Sequence, residues 1–319
     1  TAAAALPVAA TTVTPAIPRD YANPALPSSY ANFLVGRFAM TQGDVATAQH
    51  SLSLAASRDP ANSDLREKAF LVTILNGDID TAAAMSSQLK TAIPSTQMMA
   101  ALVNTVASVK SGKSLEAQKH LDALFKLKPD DRSGILLKPY VLAMQGQWTL
   151  ALSETPDPSL GNNDRDRLLV YLVKAERARL NEIKGKIKPA DALYTELYQP
   201  GAASFIFGPD YAAFLERQGR LDEARTVWTS MSSQNGDAVS AEALRRLGAP
   251  GYHAPALPDL KQSMAQSLFV AATLAYSERN TEDSLACLRL SLYLDPTSDS
   301  ARIFLGQVEQ SVRDTAAAD

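Results

Sequence analysis

This chain of 319 residues has little of what covalent or redox chemistry needs. It carries one cysteine, Cys287, and three histidines, His50, His120 and His253, far apart in sequence. A single thiol excludes an internal disulfide, a CxxC redox pair and a thiolate zinc site. No long apolar run of about eighteen residues occurs, so no helix is expected to span a membrane. Neither sign of charge dominates: 31 basic residues face 34 acidic ones, for a net charge of -3. A chain whose main task was wrapping nucleic acid would be far more basic. Catalytic signatures such as GxSxG, HExxH and a phosphate loop are missing as well. What is present is apolar residues at 46% and charged residues at 20%. That supplies a sizeable core and argues against wholesale disorder, at a length suited to one large or two ordinary domains.

Residues 1–27 stand apart. They hold five prolines (Pro7, Pro15, Pro18, Pro24, Pro27) and only two charges, Arg19 and Asp20. Proline fixes one backbone dihedral and removes an amide donor, so an extended, solvated segment outside the fold is expected. Its alanine, proline and threonine content, and a first residue other than methionine, fit a chain whose upstream segment was removed or is not included, and equally an inert linker. The expected location is the bacterial periplasm or cell envelope, with the cytoplasm as the alternative. Membrane anchoring through a missing N-terminus stays open.

The remainder is periodic. Gly43, Gly77, Gly112 and Gly146 are separated by 34, 35 and 34 residues, and Gly185 and Gly219 follow at 39 and 34. Pro60, Pro94 and Pro129 keep the same spacing. Five residues after each glycine stands an alanine: Ala48, Ala82, Ala117, Ala151, Ala190 and Ala224. Two series in phase define a structural repeat. In residues 29–62, the run SYANFLVGRFAMTQ places apolar groups at helical offsets. Gly43 can adopt the positive dihedral that ends a helix, and Asp44 can cap the next. VATAQHSLSLAASRD then aligns Ala48, Leu52 and Ala55 on one stripe. Gly36 and Ala48 have almost no side chain, so two antiparallel helices can approach closely. Such a hairpin buries its faces only by stacking on neighbours.

On these residues the chain resembles tetratricopeptide repeat proteins. Gly36, Ala48, Leu52, Ala55 and Pro60 stand at the small, aliphatic and proline positions of the family's motif. Gly77, Ala82, Leu89 and Pro94 repeat part of it, as do Gly112, Ala117, Leu121, Leu124 and Pro129. Phe70 departs from it. Thr155, Pro156 and Pro158 are expected to cut short a second helix. A clearer copy returns with Ala212, Leu215, Gly219, Ala224 and Trp228, and a last one with Ala272, Leu288 and Pro296. The resemblance implies an all-α fold, an α-α superhelix of antiparallel hairpins. The expected organisation is an array over 28–232, an irregular insert with one short helix over 233–260, and a closing hairpin plus capping helix over 261–319.

The resemblance also implies a concave face lined by the first helix of each hairpin. Its lining would be Tyr30, Phe33, Arg37 and Met40, then Asp64, Glu67, Leu71, Ile74 and Leu75. Met99, Leu102, Val106 and Val109 follow, and then Leu136, Tyr140, Ala143 and Met144. The middle of this stretch is apolar and suits a protein or peptide segment with aliphatic anchors. The implied function is a non-catalytic scaffold or assembly adaptor, without cofactor or metal, with self-association as a further possibility. Two alternatives stay open: a lipid or polymer carrier using the same concavity, and the accessory helical domain of a larger enzyme. The lining can also be covered from within, by tight winding, by the insert, or by residues 1–27, whose Leu6, Val8, Ile17, Tyr21 and Leu26 suit a plug.

Other candidates read as structural. The basic run over 164–188, with Arg165, Arg167, Lys174, Arg177, Arg179, Lys184, Lys186 and Lys188, reads as a solvated helix face laced with ion pairs. Ser87 in SQLK is expected in mid-helix and SGKS over 111–114 in a turn. Cys287 reads as a small buried apolar residue rather than a nucleophile. Asp222 and Glu223 suit a helix start, where acids favour the dipole.

Overall fold

A computed structural model describes residues 28–89, 92–153, 164–198, 204–235 and 238–318. The expected N-terminal plug over 1–27 and the helix-breaking Thr155, Pro156 and Pro158 lie outside the described residues. Among the described residues every regular element is a helix. Six hairpins come first: α1 (Ser29–Thr41) with α2 (Val45–Arg58), α3 (Ser63–Leu75) with α4 (Ile79–Met85), and α5 (Pro94–Lys110) with α6 (Ser114–Leu127). They continue as α7 (Arg132–Met144) with α8 (Trp148–Ser153), α9 (Asp164–Ile183) with α10 (Ile187–Leu197), and α11 (Ser204–Arg217) with α12 (Leu221–Asn235). A lone α13 (Ala238–Leu247) precedes the hairpin α14 (Leu260–Ser277) and α15 (Thr281–Leu294), and α16 (Asp299–Ala318) closes the chain.

The phased glycines and alanines explain the hairpins. All six glycines of the series have positive φ, from 69° at Gly43 to 83° at Gly77, and each ends the first helix of its pair. That left-handed region costs glycine nothing and most other residues strain. The six alanines five residues later are all fully buried. Gly36 shows how tight the pairing is: a Cβ there would lie 2.6 Å from Leu52 Cγ. In the last hairpin Arg279 takes the positive dihedral, at φ 62°, and Ser284 takes the buried small position. The repeat therefore continues there without its glycine. Side-chain caps open many of the helices. Ser28, Asp44, Asn62, Asp78 and Asp131 each accept a hydrogen bond from the first turn, and Asp259 with Gln262 forms a reciprocal box.

Where residues 261–319 sit against the array goes beyond what the repeat pattern specified. Helix α14 packs against α7 and touches α9, while α15 packs against α3, α4 and α5. The closing hairpin thus lies along the inner face of the array. Lys261 Nζ donates to the carbonyl of Lys110 at 2.9 Å, and Lys110 Nζ to that of Leu294 at 3.3 Å. Tyr293 donates to Asp80, and the Arg132 guanidinium meets Glu278 at 2.5 Å. The physical reason is area. Met264, Leu268, Ala272, Leu288 and Leu290 are fully buried in one core with Ile74, Val106, Val109 and Tyr140. Removing two apolar surfaces from water together outweighs leaving both exposed.

Two corrections follow. Ser87 lies in a short 3-10 turn, Ser86–Gln88, because α4 ends early at Met85. Arg179 is not on a solvated face; it is buried at 6% exposure inside an ionic network.

Candidate functional site

The predicted lining residues divide into three groups. On α5 and α7, Leu102, Val106, Val109, Leu136 and Tyr140 are buried, and so are Ile74 and Leu75 on α3. The closing hairpin covers most of them. Leu102, Val106, Val109, Ile74 and Tyr140 share a core with α14 and α15, and Leu136 belongs to the neighbouring core against which Val270 and Leu274 pack. These residues are not a free groove; they are an internal interface. Leu71 and Met144 are half-buried. At the array's start, Tyr30, Arg37 and Met40 are exposed and Phe33 is half-buried, with the Arg37 guanidinium over its ring.

What stays open on the inner face is its mouth, at the N-terminal ends of α3, α5 and α7 and the turn between α14 and α15. A cleft of about 260 Å³ there is walled by Met98, Met99, Leu102 and Leu274, with Asp130, Asp131, Arg132, Glu278 and Asp283 at its polar side. A second recess of about 210 Å³ adjoins it, sharing Ser95, Met99 and Asp283, and adds Phe70, Leu71 and Ile93 together with Asp64, Glu67 and Glu282. Burial raises the carboxyl of Asp131 above the usual aspartate range, partly offset by the Gly134 amide that it accepts from. Burial, then the charge of Asp283, raises that of Glu282.

The inner face of α9 and α11 is built differently. Arg179 donates to Glu176 at 2.8 Å, to Asp210 at 2.6 Å and to the Tyr140 hydroxyl at 3.1 Å. Glu176 also accepts from Tyr140 and, at 2.9 Å, from Ser267 on α14. Burial raises the Glu176 carboxyl above its usual range against the pull of Arg179. Next along, Arg217 grips Glu182 at 2.6 and 2.9 Å. Glu216 collects Trp228, Arg246 and Tyr252. Each buried charge has its partner, so these networks hold helices together.

The candidates for chemistry are placed apart. Cys287 is buried, its thiol pushed up to about 12 by desolvation, with the Ser133 hydroxyl 3.9 Å away. A thiol held protonated is a poor nucleophile. His50 and His120 sit on α2 and α6. Among the described residues no three His, Cys, Asp or Glu side chains are grouped to hold a metal ion, and no helix is long and apolar enough to cross a membrane. Sequence reasoning allowed a cover from within but did not assign it to the closing hairpin, although a signal existed. In α14, Met264, Leu268, Phe269, Val270 and Ala272 surround the helix, and a helix apolar all round is a buried one.

No protein-family model matches the chain, and no curated protein matches it. Among solved structures it is similar to a tetratricopeptide repeat protein from Parabacteroides merdae. Identity is 12%, the TM-score is 0.48, and the alignment covers 88% of this chain and 98% of that one. At that identity and score the likeness decides nothing about function. The all-helical hairpin architecture stands on the turns and buried alanines described above.

Proposed function

We propose that the protein is a non-catalytic, protein-binding scaffold whose contact surface is the open mouth of the inner face. One observation carries the reading: the closing hairpin fills the inner face but leaves Leu71 and Met99 half-buried in a cleft at that mouth. Side chains with apolar surface in a recess gain free energy when a partner removes the remaining water. Of the predicted lining, Leu71 is thus the anchor position retained, while Leu102, Val106, Leu136 and Tyr140 serve stability. The carrier reading loses support. Most of the apolar lining expected to hold such a ligand is buried against the closing hairpin.

The test is Leu71→Asp in affinity capture from native extract. Loss of the captured partner with unchanged helical circular dichroism is expected; full capture would reject the mouth as the contact surface. Self-association is a second reading, favoured by one face of α1, where Tyr30, Leu34 and Phe38 recur every fourth residue and are all exposed. Phe38→Asp would then lower the mass measured by light scattering. The alanine, proline and threonine content of residues 1–27 supports placement in a bacterial envelope, which cell fractionation would check.

A further inference from the structure

We infer that the mouth takes a cationic segment of its partner, one that presents an aliphatic side chain between lysines or arginines. The inference rests on the mouth being the contact surface and adds the chemistry of what docks there. The two recesses share walls and so form one cleft with an apolar floor, Met99 and Leu274 on one side and Phe70 and Leu71 on the other. Around this floor stand carboxylates from three places in the chain. Asp64 and Glu67 come from α3, Asp130 and Asp131 from the turn before α7. Glu278 comes from the turn between α14 and α15, and Glu282 and Asp283 from the first turn of α15.

The cations at the rim do not balance them. Lys68 pairs with Asp64, Lys128 lies 3.8 Å from Asp131, and Arg132 meets Glu278. Glu67 accepts from the Thr96 hydroxyl at 2.8 Å and Asp283 from the Asn280 amide. Neither neutral donor cancels a charge. Among the described residues, no ion pair engages Glu67, Asp130, Glu282 or Asp283. Burial, and after it the charge of neighbouring carboxylates, raises the carboxyls of Asp131 and Glu282. A small metal ion does not answer this charge, because no three of these groups converge to hold one. Long basic side chains do: their aliphatic stems cover apolar floor while their heads reach the rim. An acidic segment would meet like charge from every side.

The probe is a fluorescein-labelled peptide, acetyl-Lys-Arg-Leu-Lys-Lys-Leu-Arg-Lys, against a control with glutamate at every basic position. Binding to the full chain is read by fluorescence anisotropy and by the methyl signals of methionines labelled with carbon-13. The basic peptide is expected to bind, to shift the Met98 and Met99 methyls, and to weaken as salt is raised. The rim variant Asp130→Lys with Glu282→Lys, checked for unchanged circular dichroism, should weaken it at least about tenfold. Equal binding of the acidic peptide, an unaffected rim variant, or no binding of either peptide would overturn the inference. The two readings fail separately. If neither peptide binds while Leu71→Asp still abolishes capture, the partner's assigned charge is wrong and the contact surface stands. If Leu71→Asp leaves capture intact, the contact surface itself falls.

Discussion

The two halves of the array meet the closing hairpin with different chemistry. Along α3, α5 and α7 the contact is apolar, Val106, Val109 and Ile74 against Leu268, Leu288 and Leu290. Along α9 the contact adds a buried polar element: Ser267 of α14 donates to Glu176, which Arg179 holds in an ion pair, beside the apolar packing of Val270 and Leu274. An apolar seam tolerates small shifts because dispersion and desolvation have little direction. A buried ionic seam is directional, and each member is costly to leave alone. The first half supplies cohesion and the second fixes how the hairpin sits.

The largest expected effect tests the ionic half. Arg179→Met strips Glu176 of its buried cation and should cost about 3–5 kcal/mol by urea denaturation. A loss below about 1 kcal/mol would show that the network is not holding the helices. Next comes the apolar half. Leu268→Ala removes a fully buried side chain from the hairpin and should cost about 3 kcal/mol. Hydrogen exchange should then rise across α5 and α7 more than across α11; uniform exposure would refute the division into two seams.

The smallest effect is the most specific. Glu176→Gln keeps an acceptor for Tyr140, Arg179 and Ser267 and should change stability by under about 1 kcal/mol at neutral pH. Its pH profile should differ from wild type. Tyr140, Arg179, Asp210 and Ser267 face this carboxyl, and burial holds its folded value above the ordinary 4.5. The folded state therefore binds the extra proton. This group's contribution is fully present below 4.5 and declines as pH rises through the raised value. Thermal midpoints across acidic to neutral pH should fall more in wild type than in the variant. Parallel profiles would place the titration elsewhere.

These seams show why the site was only partly legible. Gly43, Gly77 and their successors, with an alanine five residues on, marked every hairpin from α1 to α12, because a positive dihedral and a missing side chain are properties of single residues. The closing hairpin lacks that pair of markers, since Arg279 and Ser284 stand where glycine and alanine would, and was read instead from Ala272, Leu288 and Pro296. Leu102 and Tyr140, expected to line a concave face either open or covered from within, are buried in a core shared with the closing hairpin. Leu71, by contrast, keeps part of its surface in the cleft. The helix of residues 164–183 looked like a solvated charged face, yet Glu176 and Arg179 of that helix are buried because they found each other and Asp210.

Sequence by itself determined the helical hairpins and their register, since these follow from local dihedral preference and periodic small side chains. Which part of the inner face meets water was decided only in three dimensions. Burial depends on what packs opposite, and here that is a hairpin more than a hundred residues further along the chain.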